Sequence, residues 1–152
     1  MNSTSLKKIF NNLTLKKMYA KRFEPVAGRC PEIIEYLMSS PDMPTREDLL
    51  FKIRLSIEEV IENIVRYAYD NGTGYLEVST ERQNDELIII FSDAGRPFNP
   101  LDKPDPDITL SAEDRPIGGL GIFICKQLMD DISYEYKDKC NVLMMKKILV
   151  NN

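Results

Sequence analysis

Between Thr45 and Tyr69 the chain reads TREDLLFKIRLSIEEVIENIVRYAY, with Ile53, Ile57, Val60, Ile61, Ile64 and Ala68 recurring at three- and four-residue steps. At roughly 100° per residue these side chains form one apolar stripe, which predicts a core-facing amphipathic helix over 45–69. Thr45 is the expected N-cap, with Asp48 in the first turn. The outward flank carries Glu58, Glu62 and Arg66, where an i,i+4 ion pair adds little in water. Glu59 and Asn63 are four apart and stack on one flank beside the stripe. Two readings stand for this pair. One is a solvated Glu with a half-buried Asn bonded to the backbone; the other is a general base beside a Mg²⁺ ligand.

The segments around this helix supply a sheet. A strand is expected within 13–23, then a helix from Pro25 to about Ser39, and a breaker at Pro41, Asp42 and Pro44. Asp70-Asn71-Gly72-Thr73-Gly74 is a turn. Tyr75–Arg82 alternates, and Glu86–Ser92 (ELIIIFS) reads as a central strand buried on both faces, with Gln83-Asn84-Asp85 as the hairpin between them. A glycine cluster at 118–121 opens a helix through IFICKQLMDD, and Ile132–Lys137 with Val142–Leu149 form a last antiparallel pair. The order β-α-α-β-β-loop-α-β-β does not alternate regularly. It predicts an α+β, two-layer sandwich with a mixed, mostly antiparallel sheet and helices on one face.

Composition narrows the chemistry. At 152 residues a single domain over 1–152 is expected, and an apolar fraction of 43% is ordinary for a globular chain. A net charge of −4 gives no electrostatic footprint for nucleic acid or an anionic membrane. No apolar run approaches a membrane span and MNSTSLKKIF lacks the apolar core of a signal peptide, so a cytoplasmic location is expected. Cys30, Cys125 and Cys140 have no CxxC spacing, which points to a reducing compartment, and Cys125 reads as core. There is no histidine. That excludes Ser-His-Asp and Cys-His nucleophile systems and phosphohistidine chemistry, leaving a carboxylate, lysine or tyrosine as any base.

Five of the nine prolines lie between 97 and 116, in an acidic passage without periodicity of its own. A connection of that length is usually functional or mobile. It is bounded by Asp93-Ala94-Gly95, which by itself can be plain turn chemistry, and by Gly118-Gly119-Leu120-Gly121, which by itself can be a simple hinge. Neither GxxxxGK[ST] nor a strand-linked GxGxxG is present.

In this order the motifs resemble one family. Glu59-x-x-x-Asn63 with Ala68-Tyr69, Asp93-x-Gly95-x-Pro97-Phe98-x-Pro100, Arg115-Pro116-Ile117-Gly118-Gly119-Leu120-Gly121, and Met129-Asp130 with Asn141-Val142-Leu143 are similar to those of the GHKL (Bergerat-fold) ATPases. Within that family they resemble the bacterial anti-sigma-factor serine/threonine kinases, over about residues 20–149. The resemblance implies ATP and Mg²⁺ as cofactors. It makes Asn63 the Mg²⁺ ligand and Asp93 the acceptor for the adenine amino group, with Gly95 allowing close approach. Gly118, Gly119, Leu120 and Gly121 become the lid-to-helix hinge at the phosphates, Glu59 the general base, and residues about 96–118 the ATP lid. Arg115 either neutralises γ-phosphate charge or is an idle surface arginine.

There are two departures from the family pattern: Tyr67 stands where the family often has His, and Asn141 where related ATPases often have Thr or Ser. Asn141 can still hydrogen-bond. The implied partners are a small STAS-type anti-anti-sigma protein as substrate and a sigma factor as sequestered target, with homodimerisation common in the family. The alternative is a catalytically weak, ATP-dependent protein-binding module. A two-component sensor kinase is disfavoured, because it would need a phosphoacceptor His and a dimerisation segment.

Overall fold

The computed structural model describes residues 19–24, 26–70, 73–111, 113 and 119–150. Five strands, β1 (Tyr19–Phe23), β2 (Leu76–Gln83), β3 (Glu86–Asp93), β4 (Asp131–Lys137) and β5 (Cys140–Ile148), form one sheet in the order β1-β2-β3-β5-β4. Among the described residues three α-helices accompany it: α1 (Cys30–Met38), α2 (Glu47–Tyr67) and α3 (Leu120–Leu128). The two-layer α+β architecture is as expected. The sheet, however, is antiparallel at every pair rather than mixed. The reason is topological: the connection through α3 leads to β4 at the edge, and the tight β4–β5 hairpin then inserts β5 between β4 and β3.

The α2 stripe forms the core. Ile53, Ile57 and Ile61 are fully buried and join Phe23, Val78, Leu87, Ile89, Phe91 and Met145 of the sheet in one cluster. β3 is closed on both faces, as its unbroken run of β-branched residues predicts. Ile88 and Ile90 form a second, smaller cluster with Val142 and Met144. Among the described residues no helix is long and apolar enough to cross a membrane.

Several boundaries move for local reasons. α1 begins at Cys30, not near Pro25, because Gly28 turns the chain at φ 74° and Pro31 occupies the first helical turn. Arg46, not Thr45, is the extended residue before α2, and it makes no side-chain cap. It pairs with Asp48 through Nη2 at 2.6 Å instead. The Glu62–Arg66 pair does not form; Arg54 takes the outward flank with Glu58 and Glu35. α3 stops at Leu128, three residues before the expected end, because Met129 is extended and Asp130 is recruited by β5, accepting from Ile148 N–H at 2.7 Å. β5 begins at Cys140, since Asp138 and Lys139 both take positive φ and close a two-residue turn with Lys137 opposite Cys140.

Candidate functional site

Glu59 and Asn63 lie one helical turn apart on α2, at the edge of the buried Val60–Ile61–Ile64 stripe. Both are half-buried. Neither side chain has a hydrogen bond or ion pair among the described residues, so both are available to a ligand. α3 packs against this stretch of α2, and the Cys125 thiol lies 3.5 Å from the Ser56 carbonyl. Burial, and then the Glu59 charge, push that thiol up to about 12, which fits an inert core cysteine. Where α3 begins, Gly121 faces Glu59 so closely that a β-carbon there would overlap the carboxylate. Burial, followed by Glu62 and Glu58, raises the Glu59 carboxyl above its ordinary range, with Arg66 opposing.

Asp93 ends β3 directly opposite Asn141 of β5 and is buried. Its Oδ1 accepts from the Gly95 N–H and from Asn141 Nδ2, each at 2.9 Å. Its Oδ2 has no protein partner among the described residues, yet it is not sealed away from solvent. Burial raises the Asp93 carboxyl, while Asn141 and Gly95 pull it back. The Asn141 amide is committed on both sides. Its Oδ1 accepts from Tyr134 O–H at 2.7 Å and Phe98 N–H at 3.1 Å, and its Nδ2 also donates to the Arg96 carbonyl at 3.0 Å. Asn141 therefore positions the 93–98 turn and leaves Asp93 Oδ2 as the outward acceptor.

The same turn is locked to the end of α2. The Arg96 N–H donates to the Ala68 carbonyl at 3.2 Å and Arg96 Nε to the Tyr67 carbonyl at 3.1 Å. A β-carbon at Gly95 would overlap that Ala68 carbonyl. The missing side chain at Gly95 is thus used against α2. Tyr69 adds a strut: its hydroxyl accepts from Ala94 N–H at 2.9 Å and donates to the Tyr75 carbonyl at 2.7 Å.

These restraints frame a small, open hollow that brings Asn63, Asp93 and Asn141 together between apolar walls from Val60, Ile64 and Leu143. Past Asn63, Tyr67, Phe98 and Pro100, which line both spaces, it continues into a charged, open cleft. The cleft holds Glu59, Arg66, Lys103, Gly119, Leu120 and Gly121. Gly119 caps α3 at φ 89°, a backbone that glycine takes without strain. The expected roles of Arg115 and Gly118 fall on residues outside those described.

The family model described as a histidine kinase-like ATPase domain matches residues 32–147. The chain belongs to that family. It is 29% identical over 140 residues to the serine-protein kinase RsbW of Bacillus cereus strain AH187, covering 84% of this chain and 88% of that protein. The RsbW of Bacillus cereus strain B4264 is 30% identical over the same shares. In fold, the chain is similar to the solved catalytic domain of histidine kinase ThkA, with a TM-score of 0.52 over 88% of this chain and 97% of that one, at 14% identity.

A histidine kinase-like ATPase domain needs room for a purine, a fixed polar contact for it and a place for phosphates and their metal. Here the hollow has apolar walls and one unpartnered carboxylate oxygen. The cleft adds an amide unpartnered among the described residues, cations and the N-terminus of α3. Among the described residues no three His, Cys, Asp or Glu side chains cluster as metal ligands. Mg²⁺ held by one protein oxygen, with phosphate and water completing its shell, suits that donor set. Sequence reasoning missed Lys103, and it placed Arg66 on a solvated flank. Helical periodicity puts Arg66 outward, and only the fold of the 96–103 segment across the end of α2 turns that surface into a cleft wall.

Proposed function

We propose that this chain is an ATP-dependent protein serine/threonine kinase of the anti-sigma-factor type. The observation that carries the reading is the state of three side chains. Asp93 is pinned through Oδ1 with Oδ2 open to an apolar hollow, and that hollow runs past a free Asn63 to a free, raised-pKa Glu59. The adenine amino group donates to Asp93 Oδ2, and the purine lies between the apolar walls. The phosphates reach the cleft, where the first N–H groups of α3 at Gly119, Leu120 and Gly121 face them. Asn63 would hold Mg²⁺, which offsets phosphate charge when bound.

Glu59 takes the proton from a substrate serine hydroxyl as its oxygen bonds to the γ-phosphorus. The bond from that phosphorus to the bridging β-phosphate oxygen breaks, and ADP leaves. By resemblance, Gly118 completes the hinge, Arg115 neutralises γ-phosphate charge, and residues about 96–118 of a single 1–152 domain act as lid. The same resemblance names a small STAS-type anti-anti-sigma protein as phosphoacceptor, a sigma factor as the sequestered partner, a homodimer and a cytoplasmic setting.

The test is γ-phosphate transfer from Mg-ATP to a STAS-type partner from the same cell, with ATP affinity measured in parallel. Transfer to serine by wild type, abolished in Glu59→Gln with ATP binding intact, supports the kinase. ATP binding without transfer in wild type makes the chain a nucleotide-dependent binding module. No ATP binding removes both readings.

A further inference from the structure

Among the described residues Lys103 pairs with no carboxylate, in a chain of net charge −4. The acidic residue before it, Asp102, turns to Asn99 instead, whose Nδ2 donates to Asp102 Oδ1 at 2.8 Å. The next acidic residue along, Asp105, is taken by Lys126 at 2.8 Å. Among the described residues the Lys103 ammonium therefore forms no ion pair. It rests instead on two aromatic faces, 5.3 Å from the Phe98 ring centre and 5.6 Å from that of Tyr67. Those rings lie 6.3 Å apart and line both the hollow and the cleft. The 3₁₀ turn Pro100–Asp102, closed by Asn99 Oδ1 accepting from Leu101 N–H at 3.0 Å, fixes where Lys103 leaves the turn. Lys103 thus lines the cleft that ends at Gly119–Gly121, against the two rings that this cleft shares with the hollow.

A lysine on partly exposed rings is held weakly, and a phosphate oxygen competes with the rings for it. We propose that Lys103 is a polyphosphate-sensing residue: its ammonium moves from the Tyr67 and Phe98 faces to the phosphate chain of a bound nucleotide. There it favours nucleoside di- and triphosphates over nucleosides. The inference rests on the nucleotide reading above and adds a residue and a selectivity to it. The ammonium is compact and its stem flexible, so the transfer needs side-chain torsions alone.

The experiment is calorimetric titration of Mg-ATP, Mg-ADP and adenosine into wild type, Lys103→Gln and Lys103→Arg, at low and high salt. In Lys103→Gln, ATP and ADP affinity should fall roughly tenfold at low salt, the size of one partly solvated charge-assisted contact. Adenosine affinity should stay within twofold of wild type. Lys103→Arg should recover most of the loss, and high salt should shrink the difference. A merely structural clasp would weaken adenosine and ATP alike. Equal losses for both, or ATP binding in Lys103→Gln at wild-type strength, overturn the proposal. Wild type that binds none of the three overturns the nucleotide reading itself.

Discussion

Asp93→Asn separates the two oxygens of one carboxylate. Both protein neighbours of Oδ1, the Gly95 N–H and Asn141 Nδ2, are donors at 2.9 Å. The asparagine must therefore place its amide oxygen there and its NH₂ where Oδ2 was. Folding changes little, because two charge-assisted bonds become neutral ones while a buried charge, which burial already disfavours, is removed; the net should lie within about 1 kcal/mol. Toward the hollow, however, an acceptor becomes a donor. An adenine amino group loses a bond to a charged acceptor, about 1.5–3 kcal/mol, or roughly 10- to 150-fold in affinity. A purine with a carbonyl at that position should gain instead. Calorimetry with ATP and ITP, beside thermal melting, reads all three effects: unchanged melting, weakened ATP and improved ITP. ATP affinity within twofold of wild type, in a variant that melts normally, would refute Asp93 Oδ2 as the purine contact.

The other predictions follow from individual contacts. Because Glu62 helps raise the Glu59 carboxyl and Arg66 lowers it, Glu62→Gln should move the acid limb of the phosphotransfer pH profile to lower pH and Arg66→Gln to higher pH; limbs that stay put would remove Glu59 as the titrating base. Gly95→Ala drives a β-carbon into the Ala68 carbonyl, which is backbone and cannot rotate away, so chemical denaturation should show a loss of about 1–3 kcal/mol. Burial opposes the Asp130 charge, but the Ile148 N–H and Lys147 outweigh it and hold the carboxyl below its ordinary value. Stability from that clasp is present above the unfolded aspartate value and lost as pH falls through the lower folded one. The melting gap between wild type and Asp130→Asn should therefore close below about pH 4, and a gap constant with pH would contradict the assignment.

Most of the framework was legible where a single period dominates. The α2 stripe is unambiguous, and ELIIIFS can scarcely be anything but a strand closed on both sides. The β2–β3 hairpin was visible because Asn84 is a residue that tolerates positive φ. The β4–β5 turn was not, because Asp138-Lys139 carries no glycine. Thr45 misled because the first turn of α2 is stabilised by the Arg46–Asp48 pair rather than by a capping hydroxyl. Spacing and resemblance single out Glu59 and Asn63, and resemblance singles out Asp93; the fold brings all three to one connected hollow and cleft. The full commitment of the Asn141 amide was not, because it depends on Tyr134, Phe98 and Arg96 arriving from other segments. Nor was the cleft role of Arg66 and Lys103, since both depend on how 96–103 crosses the end of α2.

The claim on which everything else depends is that one nucleotide occupies both the hollow at Asp93 and the cleft at Glu59, with Asn63 between them. Titration of ATP into wild type and Asn63→Ala, with and without Mg²⁺, tests it most directly. Wild type should bind saturably and more tightly with Mg²⁺, gaining about 2.7 kcal/mol of stability at ligand one hundred times its Kd. Asn63→Ala should lose the Mg²⁺ enhancement while keeping its affinity for adenosine. Mg²⁺ enhancement of equal size in both proteins would contradict the account.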